Sequence, residues 1–406
     1  MNYNNYSALW MIEPFLTGYN GHLFNYAKSI SENLNNNGVR FKIFVSKDCD
    51  AKIKKEINTE VVFENLPDEK VFKTFFGKMF KSIFVYNLHL FKGLKKISKN
   101  YQLNDKLLFF GTIQHIHLFG LIAWLIFTKK NNCPKTIILT LRLSIYRYDL
   151  NRWSLSYIWY LFAFQLIKLV KLKCNIYFIT DSNKLIDEYK KLTNLNISLL
   201  PIPHTFKQTD FVKFEFTKNN HSIVYTSLGS ARKNKGFDIL IDAIILLSKI
   251  TNFENYQFIL QSNYSKNETI IKSKIDLINS YNFNNVILID RELNENEYYS
   301  LLNLSDVVLI PYDMGIYYAN TSGIFTEAIS FGRPVIVTKN TWMSDNLSIG
   351  SGYTFENRDV IDLALKIETS FNNYNDMLNE SKGSSNKWNM YHNSENFLKM
   401  LFQLNS

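Results

Sequence analysis

TSGIFTEAISFGRPVIV, residues 321–337, opens the reading of this chain. Small, polar Thr321, Ser322 and Gly323 begin a helix, because a hydroxyl there can accept from the free N–H groups of the first turn. Gly332 ends the helix, and Pro334–Val337 reads as a buried strand. A helix feeding straight into such a strand is one unit of a parallel sheet flanked by helices. One carboxylate, Glu327, lies a turn inside the helix among Ile324, Phe325, Ala328 and Ile329. In so apolar a setting a lone carboxylate needs partners.

The alternation extends in both directions. ALWMI (8–12), FKIFVS (41–46), KLLFFG (106–111), TIILTL (136–141) and IYFIT (176–180) read as strands of a first sheet. SIVYTSLG (222–229), QFILQS (257–262), VILID (286–290), VVLIP (307–311) and PVIVT (334–338) read as strands of a second. Helices such as GFDILIDAIILLSKI (236–250) and NENEYYSLLNLS (294–305) fall between them. The stretch PIPHTFKQTDFVKFEFTKNNHS (201–222) is proline-marked and then polar, which places a linker near 204–215. A length of 406 residues agrees with two domains. Ligands of such sheets bind beyond the carboxyl ends of strands, so site residues belong in loops that follow strands.

Apolar residues make up 46% and aromatics 15%, which excludes a disordered chain. Cys49, Cys133 and Cys174 lack metal-ligand spacing and are odd in number, which fits a reducing compartment. The start, MNYNNYSALWMIEPF, has no charged segment followed by an apolar run, so a cytoplasmic location is expected. Residues 71–180 hold 17 Lys or Arg against Asp105 and Asp149, a surplus of +15 in a chain of net +10. Such asymmetry marks an anionic partner. From Lys70 to Lys99 eight lysines alternate with Phe, Met and Leu, without an acid. A helix of that kind lies in a membrane interface, or else is a solvated face packed on its domain. LFGLIAWLIF (118–127) and SLSYIWYLFAFQLI (154–167) fall short of the roughly 20 residues of a spanning helix. They are expected as buried or interfacial helices. No nucleic-acid recognition motif accompanies the basic surplus, so nucleic acid is not an expected partner.

After SIVYTSLG comes SARKNKGFDILIDA, with Arg232 and Lys235 three apart in a turn that leads into a helix. A guanidinium, an ammonium and a helix N-terminus together suit a phosphate or diphosphate. Two solvated loop cations are the plainer alternative. Ser322 and Gly323 offer backbone N–H groups for a second anion contact. Glu327 beside them suits hydroxyls, as acidic residues do with ribose. DCD (48–50) mimics an acidic metal motif, but so short a match is frequent by chance, and no metal is expected. No pair of carboxylates suits a double displacement.

TSGIFTEAISFGRPVIV resembles the donor-nucleotide motif of the family 4 glycosyltransferases, retaining enzymes of the two-domain GT-B fold. LGSARKNKGFDILIDA resembles that family's phosphate-binding turn, and LNENEYYSLLNLSDVVLIPYD (293–313) the helix and strand before the donor motif. FITDSNKLIDEYKKL (178–192) and LLPIPHT (199–205) are similar to the last elements of its first domain. By this resemblance Glu327 is the second glutamate of an E-x7-E pattern, the one that accepts from ribose hydroxyls. The first, which holds the transferred sugar in the family, is replaced by Ala319, with Asn320 or the Tyr317–Tyr318 pair as substitutes. QHIHLFG resembles a segment ending in a histidine that touches the donor sugar, which makes His117 a catalytic candidate beside Arg232 and Lys235. His115 would point the other way if the segment is a strand. Arg142 in TLRLS (140–144) stands where many relatives carry another histidine, and is expected to contact an anionic acceptor or the donor phosphate. EPFLTGYNGHLFNYAKSI (13–30), with Gly18 and Gly21 before a helix that starts near His22, resembles the glycine-bearing loop on the acceptor side.

The resemblance therefore implies an α/β chain of GT-B fold, with two Rossmann-like parallel-sheet domains facing across a cleft. Residues 1–207 form the acceptor side, with a C-terminal helix, 386–406, able to pack back on it; residues 208–385 bind the donor. The expected donor set is Gly229, Arg232, Lys235, Asn320, Thr321, Ser322, Gly323 and Glu327, and the acceptor-side set Gly18, Gly21, His22 and Arg142. The expected reaction moves a sugar from a nucleotide-diphosphate sugar to a lipid-linked or surface-polysaccharide acceptor of O-antigen or capsule type. It proceeds with retention, without metal or cofactor, at the inner face of a bacterial cell membrane. A non-catalytic binding or scaffold subunit of the same fold is the alternative, raised by Ala319 and Arg142.

Overall fold

The computed structural model describes residues 6–19, 22–65, 81–170, 173–203 and 222–404. The chain divides into two compact units. The first holds the described residues of Met1–Arg147, Asn151–Thr205 and His392–Ser406; the second holds Tyr148–Leu150 and those of Phe206–Tyr391.

In the first unit the order is β1 (Ala8–Ile12), α1 (His22–Asn36), β2 (Arg40–Ser46), α2 (Ala51–Glu56), β3 (Thr59–Phe63), α3 (Tyr86–Asn100), β4 (Lys106–Phe110) and α4 (His115–Phe127). It continues with β5 (Thr136–Thr140), the short antiparallel pair β6 (Tyr146–Arg147) and β7 (Arg152–Trp153), α5 (Ser156–Val170), β8 (Asn175–Thr180), α6 (Asn183–Lys190) and β9 (Ile197–Leu199). The main sheet is parallel, in the order β3-β2-β1-β4-β5-β8-β9. Its central strands β1 and β5 are buried along their whole length, as continuous apolar runs in a sheet covered on both faces must be.

The second unit runs β10 (Ile223–Ser227), α7 (Phe237–Ile250), β11 (Tyr256–Gln261), α8 (Thr269–Ser280), β12 (Val286–Ile289), α9 (Glu295–Leu304) and β13 (Val307–Ile310). Then come α10 (Met314–Tyr317), α11 (Gly323–Ser330), β14 (Val335–Thr338), α12 (Trp342–Asp345), β15 (Gly352–Phe355), α13 (Val360–Asn372) and α14 (Tyr374–Tyr391). Its six strands are parallel, in the order β12-β11-β10-β13-β14-β15. All ten strands expected from the sequence form. The strands it did not announce, β3, β6, β7, β9 and β15, are short or carry polar residues. In β15 a Cβ on Gly352 would stand 2.1 Å from the Val335 carbonyl oxygen, so this strand trades apolar character for close approach.

The helix expected over 386–406 is two helices, α14 and α15 (Ser394–Gln403). Asn393 breaks the run by capping α15, its side chain accepting from the Asn396 N–H. Phe397, Leu398 and Leu401 of α15 share one core with Phe24, Ala27, Ile30 and Leu34 of α1. Each large side chain so buried contributes roughly 2 kcal/mol, which returns the end of the chain to the first unit.

The proposed linker near 204–215 and most of the first half of the Lys70–Lys99 block lie outside the described residues. Within α3 the apolar side chains Leu90, Leu94 and Ile97 are buried while Lys92, Lys95, Lys96 and Lys99 are exposed. This part of the block thus packs one face on its domain, with Leu88 left exposed among the lysines.

Both sheets reverse their strand order once, between β1 and β4 in the first and between β10 and β13 in the second. Crevices open beyond the carboxyl ends of strands at such reversals.

Candidate functional site

The second sheet gathers the expected donor residues at its reversal. The loop after β10 begins at Gly229, whose φ of +82° suits glycine and whose N–H donates to Gln261 Oε1 at 2.6 Å. A Cβ there would come within 2.7 Å of Lys235 Nζ and 3.0 Å of Ile324 Cδ1. The missing side chain thereby leaves room where the cationic turn meets the start of α11. Arg232 is exposed and Lys235 half-buried. Burial, and then the neighbouring Arg232 guanidinium, push the Lys235 ammonium down to about 8. Its Nζ also stands 5.6 Å from the centre of the Tyr312 ring.

The loop after β13 leads through α10 to α11. Ser322 caps α11, its hydroxyl accepting from the Phe325 N–H at 3.3 Å. Asn320, Thr321 and Gly323 are half-buried at the same turn, while Ala319 is wholly buried. Glu327 is half-buried one turn in, and the Tyr298 phenol of α9 donates to its Oε2. Burial pushes the Glu327 carboxyl up to about 7; the Tyr298 hydrogen bond opposes this, and the Glu295 charge adds to it. Tyr298 was not among the expected residues. The one signal for it was its place in the helix before β13, whose register against α11 no sequence pattern supplies.

In the first unit the expected set is less uniform. His115 and His117 lie in the first turn of α4 and not in a strand, because Gln114 starts the helix. The Gln114 N–H donates to His117 Nδ1 at 3.3 Å, which leaves the proton on Nε2. His117 is 3% exposed, and burial holds it down at about 3, so the ring is neutral. Gly21 lies outside the described residues; His22 is the first residue of α1. At Gly18 an added Cβ would meet nothing within 4 Å, so no close approach demands glycine there. Arg142 already has neighbours: its guanidinium carbon lies 3.8 Å over the Tyr26 ring, and Nε is 3.9 Å from Asp181 Oδ2. In DCD, the Asp50 side chain accepts from the Lys52 N–H and caps α2. Glu13, Tyr26 and Asp181 were not anticipated, although Glu13 and Asp181 directly follow predicted strands.

Residues 221–373 match the family model described as Glycosyl transferases group 1. No curated protein matches the chain in sequence. Among solved structures, sucrose-phosphate synthase from Thermosynechococcus elongatus is similar with a TM-score of 0.70 at 14% identity, covering 98% of each chain. Anabaena HepE, in complex with UDP and glucose, gives 0.66 at 14% identity over 99% of this chain and 100% of its own. A glycosyltransferase from Rickettsia africae gives 0.68 at 13% identity over 99% and 98%. The two parallel-sheet domains have the GT-B fold.

Proposed function

We propose, for a chain that is a glycosyltransferase of the group 1 type, that it moves a sugar from a nucleotide-diphosphate sugar to a lipid-linked or surface-polysaccharide acceptor. The observation that carries the donor half is the pairing, at one sheet reversal, of the Arg232–Lys235 turn with the Glu327 carboxylate. The cations and the N–H groups opening α11 hold the diphosphate, and Glu327 accepts from ribose hydroxyls. HepE, which shares the fold, binds UDP-glucose. When the sugar–diphosphate bond breaks, negative charge grows on the leaving group, and Arg232, Lys235 and those N–H groups stabilise it. The leaving phosphate takes the acceptor's proton, so the sugar keeps its anomeric configuration and no metal is required. A thermal-shift panel of UDP, GDP, CDP, ADP and TDP, each with and without EDTA, tests this. One nucleotide should raise the melting temperature equally in both conditions. A panel without any shift points to the non-catalytic relative, which the buried Ala319 in the sugar-holding position favours.

The acceptor half rests on α5. Leu155, Ile158, Phe162, Leu166 and Leu169 recur at helical spacing and are exposed, Leu155 by 69% and Leu169 by 67%. Lys173, just beyond α5, donates to the carbonyls of Leu125 and Ile126 at 2.8 and 2.7 Å, which ties this end to exposed Ile126 and Phe127 on α4. Exposed Lys129, Lys130 and Lys168 flank the apolar residues. Apolar side chains edged by lysine suit the interface of an anionic bilayer. Among the described residues no helix is long and apolar enough to cross a membrane. Vesicles rich in phosphatidylglycerol should therefore sediment the protein, and Phe162→Asp with Leu166→Asp should abolish this. Equal recovery with and without those substitutions overturns the peripheral reading.

A further inference from the structure

Beyond the carboxyl ends of β1, β4, β5 and β8, neighbours in the first sheet, lie Glu13, Gly111, Arg142 and Asp181. Glu13 and Gly111 follow directly on the paired residues Ile12 and Phe110, at the reversal of the strand order. Glu13 is 1% exposed, and its Oε2 has no hydrogen-bond partner. Its carboxyl lies over Gly111, where an added Cβ would stand 2.6 Å from that oxygen. Arg142 acts on Glu13 through its charge, lies over Tyr26 and pairs with Asp181, to which the Tyr26 hydroxyl donates at 3.1 Å. Arg142 Nε and Thr140 Oγ1 are also buried without hydrogen-bond partners. So is His117 Nε2, on a ring 5.1 Å from that of Phe15 in the β1 loop.

Buried polar atoms are as a rule satisfied, and four side chains left open beyond neighbouring strands need a reason. Their mixture gives the class of ligand. Asp181 already answers the Arg142 charge, so the place offers an anion little. A carboxyl oxygen, a guanidinium N–H, an imidazole N–H and a hydroxyl together complement groups that both donate and accept, and sugar hydroxyls are such groups.

We propose that these residues form a subsite for a neutral hexose ring of the acceptor, with Glu13 holding one of its hydroxyls. This rests on the reading of the chain as a sugar transferase and narrows its acceptor. Glu13 is a specificity-determining residue of the subsite, and Gly111 is the space that its carboxyl needs.

Saturation-transfer NMR on the full chain tests the subsite with methyl glucoside, methyl galactoside, methyl mannoside, glucuronate and inorganic phosphate as probes. At least one neutral methyl hexoside should receive saturation from the wild type. Glu13→Gln, which keeps the shape, and Gly111→Ala, which fills the space, should each weaken that contact at least fivefold. Neither should change the thermal shift produced by the nucleotide, which reports the second domain and the integrity of the fold. Three results overturn the subsite: no neutral hexoside contact in the wild type, contact indifferent to both substitutions, or glucuronate or phosphate displacing the hexoside. Failure of the transferase reading looks different, because the wild type would then show no nucleotide shift.

Discussion

The two sheet reversals of this molecule are built alike and filled differently. Beyond β10 and β13 stand partly exposed charges of both signs: Arg232 and Lys235 on one loop, Glu327 just inside the helix that ends the other. Beyond β1 and β4 stands a buried carboxyl over a glycine, with its charged neighbours already paired. An edge with free charge suits a diphosphate, whose affinity comes from ionic contacts. An edge with balanced charge and open hydrogen-bonding atoms suits a neutral ring. The same topology thus presents two different chemistries, and the side chains decide which ligand class each would suit.

The sharpest way to break the contrast is Lys235→Ala. With the ammonium gone from beside Gly229, the leaving diphosphate loses a stabilising charge, and kcat should fall by about 100-fold with nucleotide affinity changing far less. Steady-state kinetics on the donor that the thermal-shift panel identifies would check it. An unchanged kcat would remove the cationic half of the comparison.

Glu327→Ala should come next. A hydrogen bond to a charged group contributes about 2 kcal/mol, so nucleotide affinity should weaken roughly 30-fold in a calorimetric titration. Unaltered affinity would leave Glu327 as no more than the partner of Tyr298.

pH gives a smaller, two-sided effect. Below about 7 Glu327 takes up a proton and accepts more weakly from hydroxyls. Above about 8 Lys235 loses its charge. Nucleotide affinity of the free protein should therefore fall several-fold per unit below about 7, and kcat should fall above about 8. Glu327→Gln should flatten only the acid limb and Lys235→Met only the alkaline one. His117, neutral down to about 3, should contribute to neither limb.

The different fillings also explain what was legible in the sequence. Strands 8–12, 136–140 and 335–338 are continuous apolar runs bounded by turn residues, and their physics is local. The donor edge is nearly local too: Arg232 and Lys235 share a turn, and Glu327 shares a helix with its cap Ser322. Tyr298, which donates to Glu327, had to arrive from another element. The first edge draws Glu13, Tyr26, Gly111, His117, Arg142 and Asp181 from six separate segments, and none is unusual where it stands in the sequence. The rule that site residues follow strands pointed at Glu13 and Asp181, but their meaning depends on burial, which only the packed sheet supplies. Over 70–99 lysines alternate with Phe, Met and Leu, but which apolar side chains turn inward depends on packing: in α3 Leu90, Leu94 and Ile97 are buried while Leu88 is exposed, and a second exposed apolar stripe lies on α5.

The smallest expected effect falls on stability and concerns the carboxyl that separates the two edges. Burial pushes Glu13 up to about 8 from an ordinary 4.5, against the opposing charge of Arg142. The folded chain then holds a proton that the unfolded chain has released, so this residue costs stability increasingly as pH rises from about 4.5 toward 8. Glu13→Gln removes that cost while keeping the shape. Urea unfolding should show the variant more stable at pH 7 and equal to the wild type near pH 4, where both forms are uncharged. A gain of this kind, joined to a loss of hexoside contact, is what a residue kept for binding produces. A loss of stability at pH 7 would instead make Glu13 the satisfied partner of Arg142, and the first edge would be a structural ion cluster and not a sugar site.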